Sequence, residues 1–409
     1  MRNGQQETWT YDNVTNIFAD ARQQNPLAHI PPSQDKPQSF SIKNNPHKFN
    51  RQFNLLEIML GAKCNFDCIY CSQRTFRDNV YSSSPKDVDR FCSLLTELKI
   101  IPDGIQLWGG EPLVYWKTIQ VLVPKLRDMY GNIEISFPTN GSLLTREKID
   151  FIKQWDLRFW ISHDGHHDEG RQYGGHKDIL DDPTVVDAIN YAHEVLKPGA
   201  ISFKATYTHG NCNSEQIVRF FKTNVNKDAK VSLNNVVICH DSTNPISVAS
   251  SRLDEHDLST LEESLFNALN GGDCDFSSKQ TRDGLINKFI NQLPIETVGA
   301  ECGNPFGASV CVTLDGVLQR CHNFGPYEDH RTLRQVIENN AHVDGFYSFS
   351  DRTTNCKDCL VVHSCQGMCP GIDNKCAELS CKNAYAHHYA VFKAALASLF
   401  GVYLIGIEK

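Results

Sequence analysis

Three thiols fall within eight residues, Cys64, Cys68 and Cys71 in GAKCNFDCIYCSQ (Gly61 to Gln73), and nine more cysteines run from Cys302 to Cys381. Sixteen thiols in one chain of 409 residues point to metal or redox chemistry if the compartment is reducing. The other four, Cys92, Cys212, Cys239 and Cys274, stand alone and read as buried small hydrophobes. A disulfide framework suits a small secreted domain rather than a long chain. Structural zinc stays open for the tail, where CxxC spacing occurs. The CxxxCxxC triplet has no nearby His or fourth Cys, which leaves a metal site one ligand short. That donor set suits a four-iron cluster with one iron open to a small molecule.

Elements must hold these thiols in place. FNLLEIML (Phe53 to Leu60) reads as a buried strand entering the cysteine loop, and IQLWGGEP (Ile105 to Pro112) as a second strand ending in two glycines. IEISFPTNG, LRFWISHDG, ISFKATYTHGN and VSLNNVVICH, beginning at Ile133, Leu157, Ile201 and Val231, continue the series. Helical spacing lies between them at Lys86 to Leu98, Lys117 to Met129, Thr145 to Gln154, Val185 to Leu196 and Ser214 to Thr223. This alternation predicts an α/β fold, a parallel sheet or partial barrel. Ligands of such folds collect at the carboxyl ends of the strands, where the cysteine loop, GGEP, TNG, SHDG and THGN fall.

CxxxCxxC followed by GGEP resembles the signature of radical S-adenosylmethionine (SAM) enzymes, and the tail resembles their SPASM domain. The resemblance implies a partial (β/α)6 TIM-like barrel with a C-terminal iron-sulfur (SPASM) domain. It implies that Cys64, Cys68 and Cys71 hold a [4Fe-4S] cluster whose open iron is chelated by SAM. Tyr70 matches an aromatic position near the adenine. Gly109, Gly110 and Glu111 match the segment that meets the methionine amino group, and Ser162 and Asp164 the segment that meets ribose and carboxylate. Arg171 sits where a carboxylate clamp is expected, since a guanidinium suits that anion. Each segment also has a plain reading: GGEP as a turn, SHDG as an Asx turn. His163, His166 and His167 could form a metal cluster or a solvated loop, and His387 and His388 read as helix surface.

CGNPFGASVCVTLDGVLQRC reads as a hairpin with Asp315 and Gly316 in its turn. Cys302 is followed after thirteen residues by Gly316 and after four more by Cys321; gaps of two, five and three separate Cys356, Cys359, Cys365 and Cys369, before a final Cys381. The resemblance implies that Cys302, Cys321 and Cys369 serve a first auxiliary [4Fe-4S] cluster, and Cys356, Cys359, Cys365 and Cys381 a second, giving three clusters with the SAM-binding one. LPIETVGAE holds no upstream fourth ligand. Either Cys311 substitutes, or that cluster has an open iron, and Cys311 is an inert core thiol. Cys376 competes with Cys381 for the last position.

By this resemblance the enzyme is an oxidoreductase that cleaves SAM to a 5'-deoxyadenosyl radical and abstracts hydrogen from a ribosomally made precursor peptide. It then installs a cross-link, for example a cyclophane bond between an aromatic ring and a β-carbon. An electron donor such as flavodoxin or ferredoxin is the second implied partner. A sulfatase-type, formylglycine-generating maturase is the rival enzyme. Those relatives carry an Asp base after the hairpin's last cysteine; His322 stands here, the candidate catalytic base. Tyr327, Asp329 and His330 are further candidates for proton transfer. A metal-stabilised peptide-binding or electron-relay protein is the alternative of another class.

Hydrophobic content of 40%, charged content of 22% and a net charge of -8 describe a soluble protein without general attraction to nucleic acid or anionic membranes. No run reaches the roughly 20 apolar residues of a spanning helix, and Met1 to Asp20 has no apolar signal core, so the expected location is cytoplasmic. At this length more than one region is expected. Residues 1–50 read as a flexible or partner-facing polar arm, 51–245 as the barrel, 246–300 as a helical bridge, 301–385 as the auxiliary-cluster domain and 386–409 as an amphipathic C-terminal helix.

Overall fold

The structure, a computed structural model, describes residues 6–31, 48–76, 81–166, 169–172, 175, 177–294, 307–343 and 356–407. Cys302 and His167 lie outside them. An antiparallel pair opens the chain, β1 (Thr10–Asp12) and β2 (Ile17–Ala19). Strand and helix then alternate: β3 (Gln52–Phe53), β4 (Leu55–Met59), α1 (Val88–Glu97), β5 (Ile101–Pro102), β6 (Gly104–Trp108), α2 (Trp116–Tyr130), β7 (Glu134–Thr139), α3 (Arg146–Gln154), β8 (Arg158–Ser162), α4 (Pro183–Val195), β9 (Ile201–Tyr207), α5 (Ser214–Asn224) and β10 (Val231–Val236). The tail carries α6 (Pro245–Ser250), α7 (Glu255–Leu269), α8 (Phe276–Ile290), β11 (Ser309–Thr313), β12 (Leu318–Cys321), β13 (Phe324–Pro326), α9 (Leu333–Glu338), α10 (Val362–Cys365) and α11 (Asn374–Phe400).

One sheet runs β10-β9-β8-β7-β6-β4-β11-β12-β13. The first six strands are parallel, as the alternation predicts, and each neighbour differs by one strand-helix unit. Helices α1 to α5 cover the outer face, because each strand turns alternate residues that way. Ile105 and Leu107, Phe159 and Ile161, and Phe203 and Ala205 are all buried there. The inner alternation, Gln106 and Trp108, Trp160 and Ser162, Lys204 and Thr206, lines a cavity. This is the α/β partial barrel, open between β10 and β13.

The predicted hairpin is β11 and β12, with Val312 opposite Leu318 and Gly316 at φ 88° in the turn. It does not stand apart from the barrel. β11 pairs parallel to β4, Ser309 beside Leu55 through Thr313 beside Met59, so the sheet continues without a break into the cysteine-rich tail.

The structure differs from the sequence reading at four points. Residues 6–31, part of the expected flexible or partner-facing polar arm, are anchored: Phe18 is buried, its ring 4.5 Å from Tyr11 and 5.0 Å from Phe289. The Gln292 amide also donates to the Ile30 carbonyl at 2.9 Å. The polar composition hid a few aromatic anchors. The last helix starts at Asn374, where the capping carboxylate of Asp373 accepts the Cys376 amide at 2.7 Å, and it ends at Gly401. It therefore crosses the expected boundary at 385, and residues 401–407 lie beyond it. It is not amphipathic: Ala390, Val391, Phe392, Ala394, Ala395 and Leu396 are all buried, around a core shared with α7 and α8. For the same reason His387 is not helix surface but 2% exposed, and His388 is largely buried beside it.

Phe18→Ala is expected to cost about 3–5 kcal/mol and to open residues 6–31 to limited proteolysis. A urea midpoint and a digestion time course check both. Burial pushes the His387 pKa from 6.5 down to about 4. The unfolded chain therefore takes up a proton below pH 6.5 that the folded chain refuses, and stability falls as the pH drops from 6.5 towards 4. Urea midpoints at two pH values across this window should fall on acidification, and His387→Gln should flatten that dependence.

Candidate functional site

The cysteine loop is held from below by backbone. The Gly110 amide donates to the Gly61 carbonyl at 3.0 Å and the Glu111 amide to the Lys63 carbonyl at 2.9 Å. A Cβ on Gly110 would meet the Ala62 oxygen at 2.4 Å, and one on Gly109 the Gly61 oxygen at 2.9 Å. Both glycines are thus required by the closeness of the two loops. Glu111 is buried and braces a third loop, accepting from the Leu113 amide at 3.0 Å, the Thr139 hydroxyl at 2.8 Å and the Asn140 amide at 2.6 Å. Burial raises its pKa, and these bonds and Arg171 oppose the rise.

Cys64, Cys68 and Cys71 line one cavity of about 480 Å³ at the carboxyl ends of the strands, a volume typical of small-molecule sites. The Phe66 amide points at the Cys64 sulfur at 3.3 Å. Burial pushes the Cys68 thiol up to about 12, against the pull of Arg171. A cation is what a thiolate in that position would need, and three cysteines lining one open cavity fit an iron-sulfur cluster with one free iron.

Tyr70, Gly109, Gly110, Glu111, Ser162 and Arg171 line the same cavity. Asp164 lies behind it. Its carboxylate accepts the Tyr70 hydroxyl and, at 2.9 Å, the Thr206 amide, while its carbonyl accepts from Asn211 at 2.7 Å. Arg171 donates to the same Tyr70 oxygen at 3.1 Å. Tyr70, Asp164 and Arg171 form one network that sets the wall of the site. His163 is buried rather than solvated, bridged to Asp178 at 3.0 Å, and does not reach the cavity.

His322 does reach it. Its ring lies 3.7 Å from Trp108, nearly parallel at 7°, and its Nδ1 is 2.9 Å from the buried Glu57 carboxylate. Tyr327, Asp329 and His330 are not among the lining residues. Sequence reasoning missed Trp108, Trp160, Lys204, Thr206, His240 and Asn323, all of which line the cavity. For the strand residues the signal was available as every second position counted back from each motif.

The tail cysteines fall in two groups. Cys356 and Cys359 pack on Val362, Cys359 and Cys365 pack on the α8–α11 core, and Cys359 lies close enough to Cys381 to help raise its pKa, after burial. Cys321 and Cys369 belong to a second apolar group, and the Asn323 amide points at the Cys321 sulfur at 3.3 Å. Cys239 and Cys376 are in this second apolar group too, their sulfurs 3.1 Å apart. Cys239 is therefore not solitary, and Cys376 faces a different group from Cys381. Cys311 is buried in mid-strand beside Glu57, with burial pushing its thiol up.

Residues 58–221 match the Radical SAM superfamily. The serine-type anaerobic sulfatase-maturating enzyme of Bacteroides thetaiotaomicron is 24% identical over 353 residues, covering 76% of this chain and 81% of that protein. The radical SAM cyclopropyl synthase TigE of Paramaledivibacter caminithermalis is 28% identical over 138 residues, 28% of this chain and 27% of that one. Across the first three curated relatives, the chain spans from 27% to 81% of their lengths. The structure of anSMEcpe with bound AdoMet and Cp18Cys peptide superposes with a TM-score of 0.59 at 17% identity, covering 86% of this chain and 98% of that one, which shows a shared fold. The match over residues 58–221 makes this segment similar to the Radical SAM superfamily, whose members use SAM and a [4Fe-4S] cluster. Among the described residues no helix is long and apolar enough to cross a membrane.

Gly110→Ala is expected to displace the cysteine loop and to lower the iron retained on anaerobic reconstitution by about four atoms per chain. Iron and sulfide analysis of the anaerobically reconstituted variant checks this.

Proposed function

We propose that the chain is a peptide maturase that uses SAM to install a cross-link in a ribosomally made precursor. The observation that carries this reading is one cavity in which the three thiols, the SAM-matching residues and a substrate-sized aromatic wall meet. Cys64, Cys68 and Cys71 would hold the cluster and Arg171 the SAM carboxylate, and that pair, when bound, would supply one-electron chemistry able to remove a hydrogen atom from an unactivated carbon; the tail cysteines would hold clusters able to accept the electron left over. The chain's own part is to place and shield. The Tyr70–Asp164–Arg171 network presents a guanidinium for a carboxylate. The walls exclude water from reactive species.

Closing a bond between two C–H carbons releases one hydrogen as an atom and a second as a proton plus an electron. In this reading His322 receives that proton, a role supported by Glu57 bonding its Nδ1 and Trp108 stacking on its ring. Cys302, Cys321 and Cys369, with Cys311 or an open iron, would serve one tail cluster, and Cys356, Cys359, Cys365 and Cys381 the other. Formylglycine formation is the second reading, favoured by the match along 81% of the sulfatase-maturating relative; His322 in place of the expected Asp weighs against it. A cytoplasmic location and a flavodoxin- or ferredoxin-like donor follow from the same reading.

Replacing Cys64, Cys68 and Cys71 by Ala together should abolish 5'-deoxyadenosine formation from SAM and dithionite while retaining about eight of about twelve iron atoms. Retained SAM cleavage in that variant would sink the proposal. His322→Gln should keep SAM cleavage and lower yield of the cross-linked product at least about tenfold, as measured by mass spectrometry of the co-expressed precursor.

A further inference from the structure

Lys204 enters the cavity from β9, beside Ser162 of β8 in the parallel register. Its ammonium sits 4.2 Å from the centre of the Trp160 ring. Trp160 meets Trp108 edge to face at 6.2 Å, and Trp108 lies flat on His322. A cation and three rings thus form one continuous wall.

The carboxylates around this wall are already engaged. Glu57 holds His322, Glu111 accepts three donors, and Asp164 accepts the Thr206 amide and the Tyr70 hydroxyl. No carboxylate among the described residues pairs with the Lys204 ammonium, whose pKa is lowered by burial and by no neighbouring charge. A partly desolvated ammonium whose close partner among the described residues is a π-face has a place left for an anion.

We propose that Lys204 binds a side-chain carboxylate of the peptide substrate, an Asp or Glu next to the residue lying along the Trp160–Trp108 wall. This deepens the peptide-maturase reading and rests on it. The carboxylate of SAM is the other source of the same chemistry, and the proposed function assigns that carboxylate to Arg171, which donates to the Tyr70 hydroxyl at 3.1 Å.

The test uses the full-length, anaerobically reconstituted protein with saturating SAM. Three blocked pentapeptides, acetyl-Gly-Gly-X-Gly-Gly-amide with X as Asp, Asn or Lys, are titrated by calorimetry. The Asp peptide should bind about tenfold tighter than the Asn peptide. Lys204→Met should erase that preference with SAM affinity within about twofold of the parent, and Lys204→Arg should retain it. Equal binding of the Asp and Asn peptides, or a preference that survives in Lys204→Met, overturns the proposal and leaves the peptide reading standing. A tenfold loss of SAM affinity in Lys204→Met, with peptide preference unchanged, assigns the ammonium to SAM and overturns it as well. Failure of all three peptides to bind while SAM still binds counts against the peptide reading itself.

Discussion

Two backbone hydrogen bonds, from the Gly110 and Glu111 amides to the Gly61 and Lys63 carbonyls, set the floor of the site. They bring the loop after β4 and the loop after β6 so close that no side chain fits at Gly110. Everything else at the strand ends is referenced to that contact. Glu111 passes the constraint to the loop after β7 through Thr139 and Asn140. Asn140 in turn reaches Asn65 at 2.9 Å, returning to the cysteine loop. Three loops from three strands are thereby closed into one ring of polar contacts beneath the thiols. A ring of this kind fixes a loop that would otherwise pay its own ordering entropy when a ligand arrives.

The strands and helices of the barrel were legible because buried strands and amphipathic helices carry different periods. The motifs at the strand ends were legible because Gly, Pro, Asp and Cys cluster there for reasons of loop geometry and chemistry. What the motifs concealed was the interior just before them. Trp108 precedes GGEP directly, Trp160 lies two residues before Ser162, and Lys204 two before Thr206, yet each reads as ordinary strand when the eye stops at the loop. Their inward direction follows from the same period of two that buries Leu107, Ile161 and Phe203 outward.

Other features had no local signal at all. Cys239 and Cys376 meet although 137 residues apart, and only the packing of α11 on the end of the barrel brings them together. The same helix buries His387 within a run whose apolar residues follow no single stripe, so surface and core positions looked alike. The N-terminal segment carries only a few anchors, Trp9, Tyr11 and Phe18, in a polar setting. Composition averages over them, whereas a ring cluster on Phe289, Phe392 and Phe400 does not.

The pairing of β11 with β4 has a consequence for how the chain comes to be folded. Residues 309–313 complete the hydrogen-bonding edge of residues 55–59, so the strand that leads into the first three thiols stays half-paired until some 250 intervening residues have been synthesised. At ordinary elongation rates of about 5–20 residues per second, that interval lasts on the order of tens of seconds. During it the β4 edge is open to any other strand, and so large a loop closure makes this pairing slow. The two halves of the chain therefore mature together: the thiols made first acquire a finished scaffold only when the strand made some 250 residues later pairs with the strand that leads into them.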